Sequence, residues 1–124
     1  MNFSDFEGRP AAVEAMRDAV RSGRMVHAYL FTGPAGTGKR TLADICARAL
    51  NCLSKNRPCD ECAPCGRFLS GNYPDVIYLE PEKSIGVNEV RALMERLSVR
   101  PFEGGRHVAI IKGADRMTPQ AQNA

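Results

Sequence analysis

The chain has 124 residues, which suits a single domain. Its hydrophobic fraction of 44% and charged fraction of 25% are typical of globular proteins and exclude disorder as the default. The net charge of +3 permits contact with nucleic acid or phosphate without arguing for it. No run approaches the ~18–20 apolar residues that a membrane span needs, and the first residues lack a signal-peptide pattern. A cytoplasmic protein without membrane contact is therefore predicted.

The first part of the chain predicts two helices with a strand between them. Apolar residues recur at helical spacing over residues 10–22 and again over residues 41–50. Pro10 suits the first turn of the first helix, and Gly23 suits its end. Residues 27–32 are a short apolar run rich in β-forming residues, and they predict a buried strand that leads into a glycine-rich loop.

The second part adds two strands and a helix after an unusual insertion. Residues 51–66 hold four cysteines and two prolines and predict an inserted small module. Residues 75–79 and 107–111 predict strands, and Asn88 can cap a helix between them. The predicted apolar stripe of that helix is Val90, Leu93, Met94 and Leu97. Residues 117–124 predict a turn and the opening of a helix, which indicates a fragment of a longer protein. The alternation predicts an α/β fold with a parallel sheet and flanking helices.

The glycine-rich loop is the first candidate site. Residues 33–41, GPAGTGKRT, nearly match the phosphate-binding pattern G-x-x-x-x-G-K-[ST]. Such glycines let backbone N–H groups point inward around an anion, and the dipole of the following helix favours phosphate. The alternative is a glycine-rich turn that merely joins strand to helix. The candidate phosphate-binding residues are Gly33, Gly36, Thr37, Gly38, Lys39, Arg40 and Thr41.

Two positions depart from what a magnesium-dependent ATPase needs. The pattern requires a serine or threonine hydroxyl for Mg²⁺ where Arg40 stands. An acidic Mg²⁺ ligand is also required after a neighbouring strand, but Lys112 follows the last predicted strand and Gly113 takes the place of the base that activates water. Asp115 lies three residues beyond the metal position. ATP binding stays possible, whereas Mg²⁺ binding and hydrolysis are not expected, and no catalytic residue is assigned.

The cysteines form the second candidate site. Their spacing, C-x6-C-x2-C-x2-C, suits a tetrahedral structural Zn²⁺ site, and disulfides are unfavourable in the cytoplasm. An iron–sulfur cluster and metal-free thiols remain as alternatives. The predicted metal ligands are Cys52, Cys59, Cys62 and Cys65. The fifth cysteine, Cys46, lies at apolar spacing on the second helix and is predicted to be a small buried hydrophobic residue.

Together these features resemble the bacterial clamp-loader ATPases of the AAA+ class. The resemblance rests on the run HAYLF before the glycine-rich loop, on the cysteines after its helix, and on the segments SIGVNEVR, PFEGGRHV and TPQAQNA. It covers essentially the whole chain. It implies that residues 1–124 are the N-terminal part of a truncated P-loop NTPase domain whose residues 51–66 form a zinc-binding insertion.

The resemblance also implies a role in DNA replication. Clamp-loader subunits form a ring of five that loads the sliding clamp onto primed DNA for DNA polymerase III. The delta-prime subunit of this family commonly lacks hydrolysis, and Arg40, Lys112 and Gly113 favour it. The active gamma/tau ATPase is the alternative. Delta-prime also lends its neighbour an arginine from a Ser-Arg-Cys motif, which these 124 residues do not contain, so that role falls on no residue here.

Two further expectations concern strand pairing and nucleic acid. In the family's five-stranded sheet the fourth strand lies between the first and third, and only the first three are expected here. The resulting open edges predict self-association or altered strand pairing. A nucleic-acid-binding zinc module is a further alternative, but residues 52–66 offer only Lys55 and Arg57 as cations and no aromatic group for base stacking.

Overall fold

The computed structural model describes residues 2–6, 10–26, 28–33, 36–71, 73–79, 85–99 and 106–123. The helices and strands in these ranges are α1 (Ala11–Ser22), α2 (Lys39–Leu50), α3 (Ala63–Leu69), β1 (Val76–Leu79), α4 (Val87–Ser98), β2 (Val108–Ile111) and α5 (Pro119–Asn123). Short 3₁₀ turns cover Phe3–Asp5 and Ala114–Arg116. The chain divides into two compact units, residues 1–73 and residues 74–124. Across the described ranges, no helix has both the length and the apolar character that a membrane crossing requires.

Helix α1 confirms the helix predicted for residues 10–22. Pro10 occupies the N-cap, where a missing backbone N–H costs nothing. Gly23 ends the helix with a left-handed φ of 72°, which lets its amide reach the carbonyl oxygens of Ala19 and Val20. The buried side chains of α1 are Val13, Met16 and Val20. These residues form the stripe that the helical spacing predicts.

Helix α2 packs with α1 to form the core of the first unit. It begins at Lys39, two residues earlier than predicted, because Gly38 takes a left-handed φ of 88° at the N-cap and the chain turns helical at once. A Cβ atom at Gly38 would lie 3.0 Å from the Phe6 ring, so packing and backbone conformation both favour glycine there. The core residues are Phe3, Val13, Met16, Val20, Leu42, Ile45, Cys46 and Ala49.

The strand predicted for residues 27–32 is wrong for the part that the structure describes. Residues 28–32 form no strand, and His27 lies outside the described residues. Leu30 is 75% exposed and Tyr29 43% exposed, although Phe31 packs partly against the core. A strand needs a neighbour for its backbone N–H and C=O groups. No described segment pairs with residues 28–32, so their apolar side chains stay largely in solvent.

A two-stranded parallel sheet forms the centre of the second unit. Strands β1 and β2 pair in a register that sets Val76 opposite Val108 and Leu79 opposite Ile111. Each begins one residue later than predicted and ends where predicted. Helix α4 contacts both strands, as a crossover helix between parallel strands must. The predicted α/β character with a parallel sheet and flanking helices is confirmed.

Helix α4 departs from its prediction in two respects. Its N-cap is Gly86 rather than Asn88. The backbone of the preceding residue, Ile85, is already fixed by a bridge to Met117, so the helix starts directly after it. Within the predicted stripe, Val90 and Leu93 are buried and Leu97 is half-buried, but Met94 is 51% exposed. Met94 was wrongly placed in the stripe, because two short strands and α5 offer little surface for α4 to cover.

A buried carboxylate begins the sheet of the second unit. Asp75 is 1% exposed, and its Oδ1 lies 3.9 Å from Nδ1 of His107. The other ring nitrogen of His107, Nε2, lies 2.7 Å from the carbonyl oxygen of Val99. Since a carbonyl oxygen only accepts, Nε2 carries the hydrogen. The backbone of Asp75 also accepts from the amide of Val108 at 2.9 Å, so this residue joins both strands at their start.

We expect Asp75→Ala to lower the free energy of unfolding by about 2–3 kcal/mol, because it removes a fully buried side chain together with its electrostatic contact with His107. Urea unfolding followed by far-UV circular dichroism measures this change. Asp18→Ala is the control, since the Asp18 side chain is 76% exposed and its removal should change stability by no more than about 0.5 kcal/mol. Equal effects of the two substitutions would contradict the role given to Asp75.

Candidate metal centre and phosphate loop

The structure brings the four predicted cysteine ligands together. Cys52 follows α2, Cys59 lies in the next loop, Cys62 caps α3 and Cys65 lies inside α3. Their sulfur atoms all lie within 4.8 Å of one another, and the sulfurs of Cys52 and Cys62 are 3.8 Å apart. Tetrahedral Zn–S bonds of about 2.3 Å place sulfur atoms about 3.8 Å apart. The cluster therefore has the dimensions of a four-thiolate metal site.

Backbone amides donate hydrogen bonds to the sulfur atoms of the cluster. The amides of Ser54 and Cys59 each donate to Sγ of Cys52 at 3.4 Å. The amides of Glu61 and Cys62 donate to Sγ of Cys59 at 3.4 and 3.3 Å. Such N–H donors stabilise negative charge on sulfur, which is the form that binds a metal. The chemistry of the donors therefore also fits a thiolate site for Zn²⁺.

Burial and hydrogen bonding give the cysteine thiols different pKa values. Burial raises the pKa of the Cys62 thiol, but hydrogen bonds from the Leu53 and Cys65 backbones and from the Cys65 and Cys59 side chains outweigh it and lower the pKa to about 6. Burial raises the pKa of Cys65 to about 12. Burial also raises the pKa of Cys46 to about 12. Cys46 lies in the core of the first unit, as predicted, and is not part of the sulfur cluster.

Three residues that the sequence did not single out connect the cysteine loop to the core. Nε of Arg48, on α2, lies 2.9 Å from Oδ1 of Asp60 in the loop. Nδ2 of Asn2 donates to Oδ2 of Asp60 at 3.1 Å and to the carbonyl oxygen of Pro58 at 3.0 Å. One signal was present in the sequence. Arg48 stands three residues after Ile45, so a charged side chain occupies the buried face of α2.

Three glycines of the glycine-rich loop have positive φ angles, which lets the backbone turn tightly. Gly33, Gly36 and Gly38 have φ values of 147°, 81° and 88°, a region that side chains disfavour. Lys39 is the first residue of α2, and its ammonium group donates to the carbonyl oxygen of Gly33. The lysine therefore spans the loop from one end to the other. Residues 34 and 35 lie outside the described residues.

The remaining phosphate-loop candidates surround the start of α2. Thr37 and Arg40 are exposed, and Thr41 is half-buried in the first turn of the helix. The assignment of all seven residues to phosphate binding stays a prediction. In the second unit, Lys112 directly follows β2 and is exposed, and Gly113 turns the chain with a left-handed φ of 72° into the 3₁₀ turn that holds Asp115.

Residues 8–124 match the protein family described as "DNA polymerase III, delta subunit". The match covers nearly the whole chain, and the chain therefore belongs to this family. The membership in the clamp-loader family of DNA polymerase III that the sequence motifs predict is thereby confirmed.

The relatives include different subunits of DNA polymerase III and a plant protein. The DNA polymerase III subunit delta' of Bacillus subtilis is 36% identical over 120 residues, which cover 95% of this chain and 36% of the relative. The DNA polymerase III subunit gamma/tau of Mycoplasma pneumoniae is 34% identical over 120 residues, 96% of this chain and 18% of the relative. Protein STICHEL-like 1 of Arabidopsis thaliana is 37% identical over 100 residues, 78% of this chain and 9% of the relative. The chain thus spans little more than a third of the length of these relatives at most.

We expect iodoacetamide to modify Cys62 much faster than Cys46 in the metal-free chain at neutral pH. Cys62 is partly exposed and largely thiolate, whereas Cys46 is buried and protonated. As the pH is lowered, the rate at Cys62 should fall through about pH 6, well below the ~8.5 of an ordinary thiol. Peptide mass spectrometry measures each rate.

One equivalent of Zn²⁺ should protect all four clustered cysteines and leave the slow rate at Cys46 unchanged. Thiolates that are bound to a metal lose their nucleophilic lone pair to it, and Cys46 lies outside the cluster. Unchanged alkylation of Cys62 in the presence of Zn²⁺ would contradict the metal site.

Proposed function

We propose that this chain is the N-terminal part of a clamp-loader subunit of the bacterial replicative DNA polymerase, of the delta-prime type. The family match over residues 8–124 carries the proposal. The relative named DNA polymerase III subunit delta' supports it over 95% of the chain. In this role the protein helps to load the sliding clamp onto primed DNA in the cytoplasm. Its partners are the other subunits of a five-membered ring, and it reaches clamp and DNA through that assembly.

In this proposal the glycine-rich loop binds a nucleotide but does not hydrolyse it. Curled backbone around Gly36 and Gly38 and the ammonium group of Lys39 supply the attraction for phosphate. Lys39 would exchange its intramolecular partner, the Gly33 carbonyl oxygen, for a phosphate oxygen. Arg40 has no oxygen ligand to offer Mg²⁺, which therefore does not neutralise the β- and γ-phosphates. The subunit then acts as a fixed member of the ring rather than as a motor.

The cysteine cluster in this proposal holds a structural Zn²⁺. Four sulfur atoms within 4.8 Å leave no open position for a substrate. Residues 51–66 contain few large apolar side chains, and Leu53 is 76% exposed, so this segment has little core of its own. Zinc supplies the cross-link that such a segment lacks.

An active ATPase of the gamma/tau type is the second candidate function. The gamma/tau relative from Mycoplasma pneumoniae is 34% identical over 96% of the chain, close to the identity of the delta' relative. This function needs another source of Mg²⁺ ligands. The two candidates therefore differ in one measurable property, the effect of Mg²⁺ on nucleotide binding and hydrolysis.

We expect ATP to bind the chain with an affinity that Mg²⁺ leaves nearly unchanged, and we expect no phosphate release above the buffer blank. Lys39→Ala should weaken ATP binding about tenfold, because it removes one charge-assisted hydrogen bond to phosphate. Calorimetric titration with and without Mg²⁺, with phosphate measured in the same samples, tests both statements. Lys55→Ala is the matched control, because it removes an exposed lysine from the cysteine loop and not from the proposed nucleotide site.

Tighter binding with Mg²⁺, together with phosphate release, would replace the delta-prime proposal by the gamma/tau alternative. Arg40→Thr tests the stated reason, since it restores the hydroxyl at the position of the magnesium ligand. This variant should gain a dependence of ATP affinity on Mg²⁺ that the native chain lacks. A variant that gains none would show that restoring the hydroxyl at position 40 is not sufficient for Mg²⁺ binding while Lys112 stands in place of the acidic ligand.

We also expect the immobilised chain to retain a gamma/tau-type DNA polymerase III subunit from purified solution, because neighbouring ring members must contact each other. An unrelated P-loop ATPase at the same concentration is the control, and it should pass through. The chain is further expected to self-associate, which sedimentation velocity measures. Failure to retain the gamma/tau-type subunit would count against a place in the ring, whatever the state of self-association.

A further inference from the structure

One carboxylate in the cysteine loop is held from both sides. Oδ1 of Asp60 lies 2.9 Å from Nε of Arg48, and Oδ2 accepts from Nδ2 of Asn2 at 3.1 Å. Arg48 is only 4% exposed, so its charge has been taken out of water. A buried guanidinium is stable only beside a compensating anion. Asp60 belongs to the loop and Arg48 to α2, so this ion pair attaches the loop to the helix.

Asp60 also has an unusual backbone conformation. Its φ is 63°, and within the described residues it is the only residue other than glycine with a positive φ. A Cβ atom makes this left-handed conformation unfavourable, and aspartate tolerates it better than most residues. The residue lies directly after Cys59 and two before Cys62, at the turn that brings these two sulfurs toward the cluster. The two contacts of the carboxylate therefore act on the residue whose conformation shapes the site.

Both partners of Asp60 are themselves anchored in the core of the first unit. Arg48 lies on the buried face of α2. Asn2 accepts from the amide of Phe3 at 2.7 Å, and Phe3 is a core residue with 3% exposure. Asn2 also donates to the carbonyl oxygen of Pro58, one residue before Cys59. The loop is thus held at two points in the core of the first unit, and neither Arg48 nor Asn2 is one of the predicted metal ligands.

We propose that Asp60, clamped between Arg48 and Asn2, is the positioning residue of the metal centre and sets its affinity for Zn²⁺. The clamp holds the left-handed turn before the metal arrives, so less ordering remains when Zn²⁺ binds. This inference rests on the metal site of the proposed function. Residues that orient metal ligands typically change metal affinity by 10–100-fold when they are removed.

The test compares Asp60→Gly with Glu61→Gly in the 124-residue chain. Both substitutions remove one carboxylate from the same loop and add one flexible residue. Glycine also relieves the unfavourable backbone conformation at position 60, so backbone strain cannot explain a loss there. We expect Zn²⁺ affinity, measured by competition with a chromophoric chelator, to fall at least about tenfold for Asp60→Gly. Glu61→Gly should stay within about twofold of the native chain, because the contacts that join the loop to Arg48 and Asn2 are made by the Asp60 carboxylate and not by that of Glu61.

A second metal ion and a second variant keep the test decisive even if Asp60→Gly reduces the stability of the fold. Co²⁺ absorption reports tetrahedral thiolate coordination, and Asp60→Gly should reach the native spectrum only at about tenfold higher free Co²⁺. Asn2→Ala removes one arm of the clamp and leaves the loop sequence intact, so it should show a smaller loss in the same direction. The melting temperatures of the metal-free variants separate weakened folding from weakened metal binding.

Each outcome decides between the two proposals. If the native chain binds Zn²⁺ and the position-60 and position-61 variants bind equally well, the clamp is refuted and the metal site stands. If the native chain binds neither Zn²⁺ nor Co²⁺ under reducing conditions, both the metal site and the clamp are refuted. The clamp is supported only if Asp60→Gly and Asn2→Ala weaken binding and Glu61→Gly does not.

Discussion

The packing of α2 against α1 and the N-terminal turn is the constraint on which both candidate sites depend. Ile45 is 1% exposed and Ala49 is fully buried, so the helix cannot rotate or slide without opening the core. The glycine-rich loop enters this helix at Lys39, and the cysteine loop leaves it after Leu50. The twelve residues of α2 span about 18 Å. One rigid element therefore positions the glycine-rich loop at its start and the sulfur cluster beyond its end.

The N-terminal segment supports the same arrangement from outside the helix. Phe3 fills the core, Phe6 packs over Gly38, and Asn2 reaches the cysteine loop. A segment of five described residues thus contacts the helix, the glycine-rich loop and the cysteine loop. These contacts oppose movement of either loop relative to the core of the first unit.

Sequence patterns predicted those helices and strands whose formation depends on residues close to one another in the chain. The helical spacing in α1, the cap at Gly23 and the two paired strands all follow from neighbours along the chain. The cysteine cluster was also predictable, because the thiols are close in sequence and suited to one metal ion. The strand expected at residues 27–32 failed for a different reason. An apolar run indicates a strand only if other segments supply its hydrogen bonds and its cover, and none of the described segments does so.

The sequence by itself determined the family and the residue types of both candidate sites, including Arg40 and Lys112 where the nucleotide-binding pattern predicts magnesium ligands, because these depend on identity and spacing alone. Only the tertiary structure decided that Arg48 is buried, that Asp60 is left-handed and that the Asp60 carboxylate contacts both Arg48 and Asn2. Asn2 and Asp60 are 58 residues apart in the chain. No periodic pattern relates residues at that distance, and they meet only because the packing of α1, α2 and Phe3 closes the intervening chain on itself.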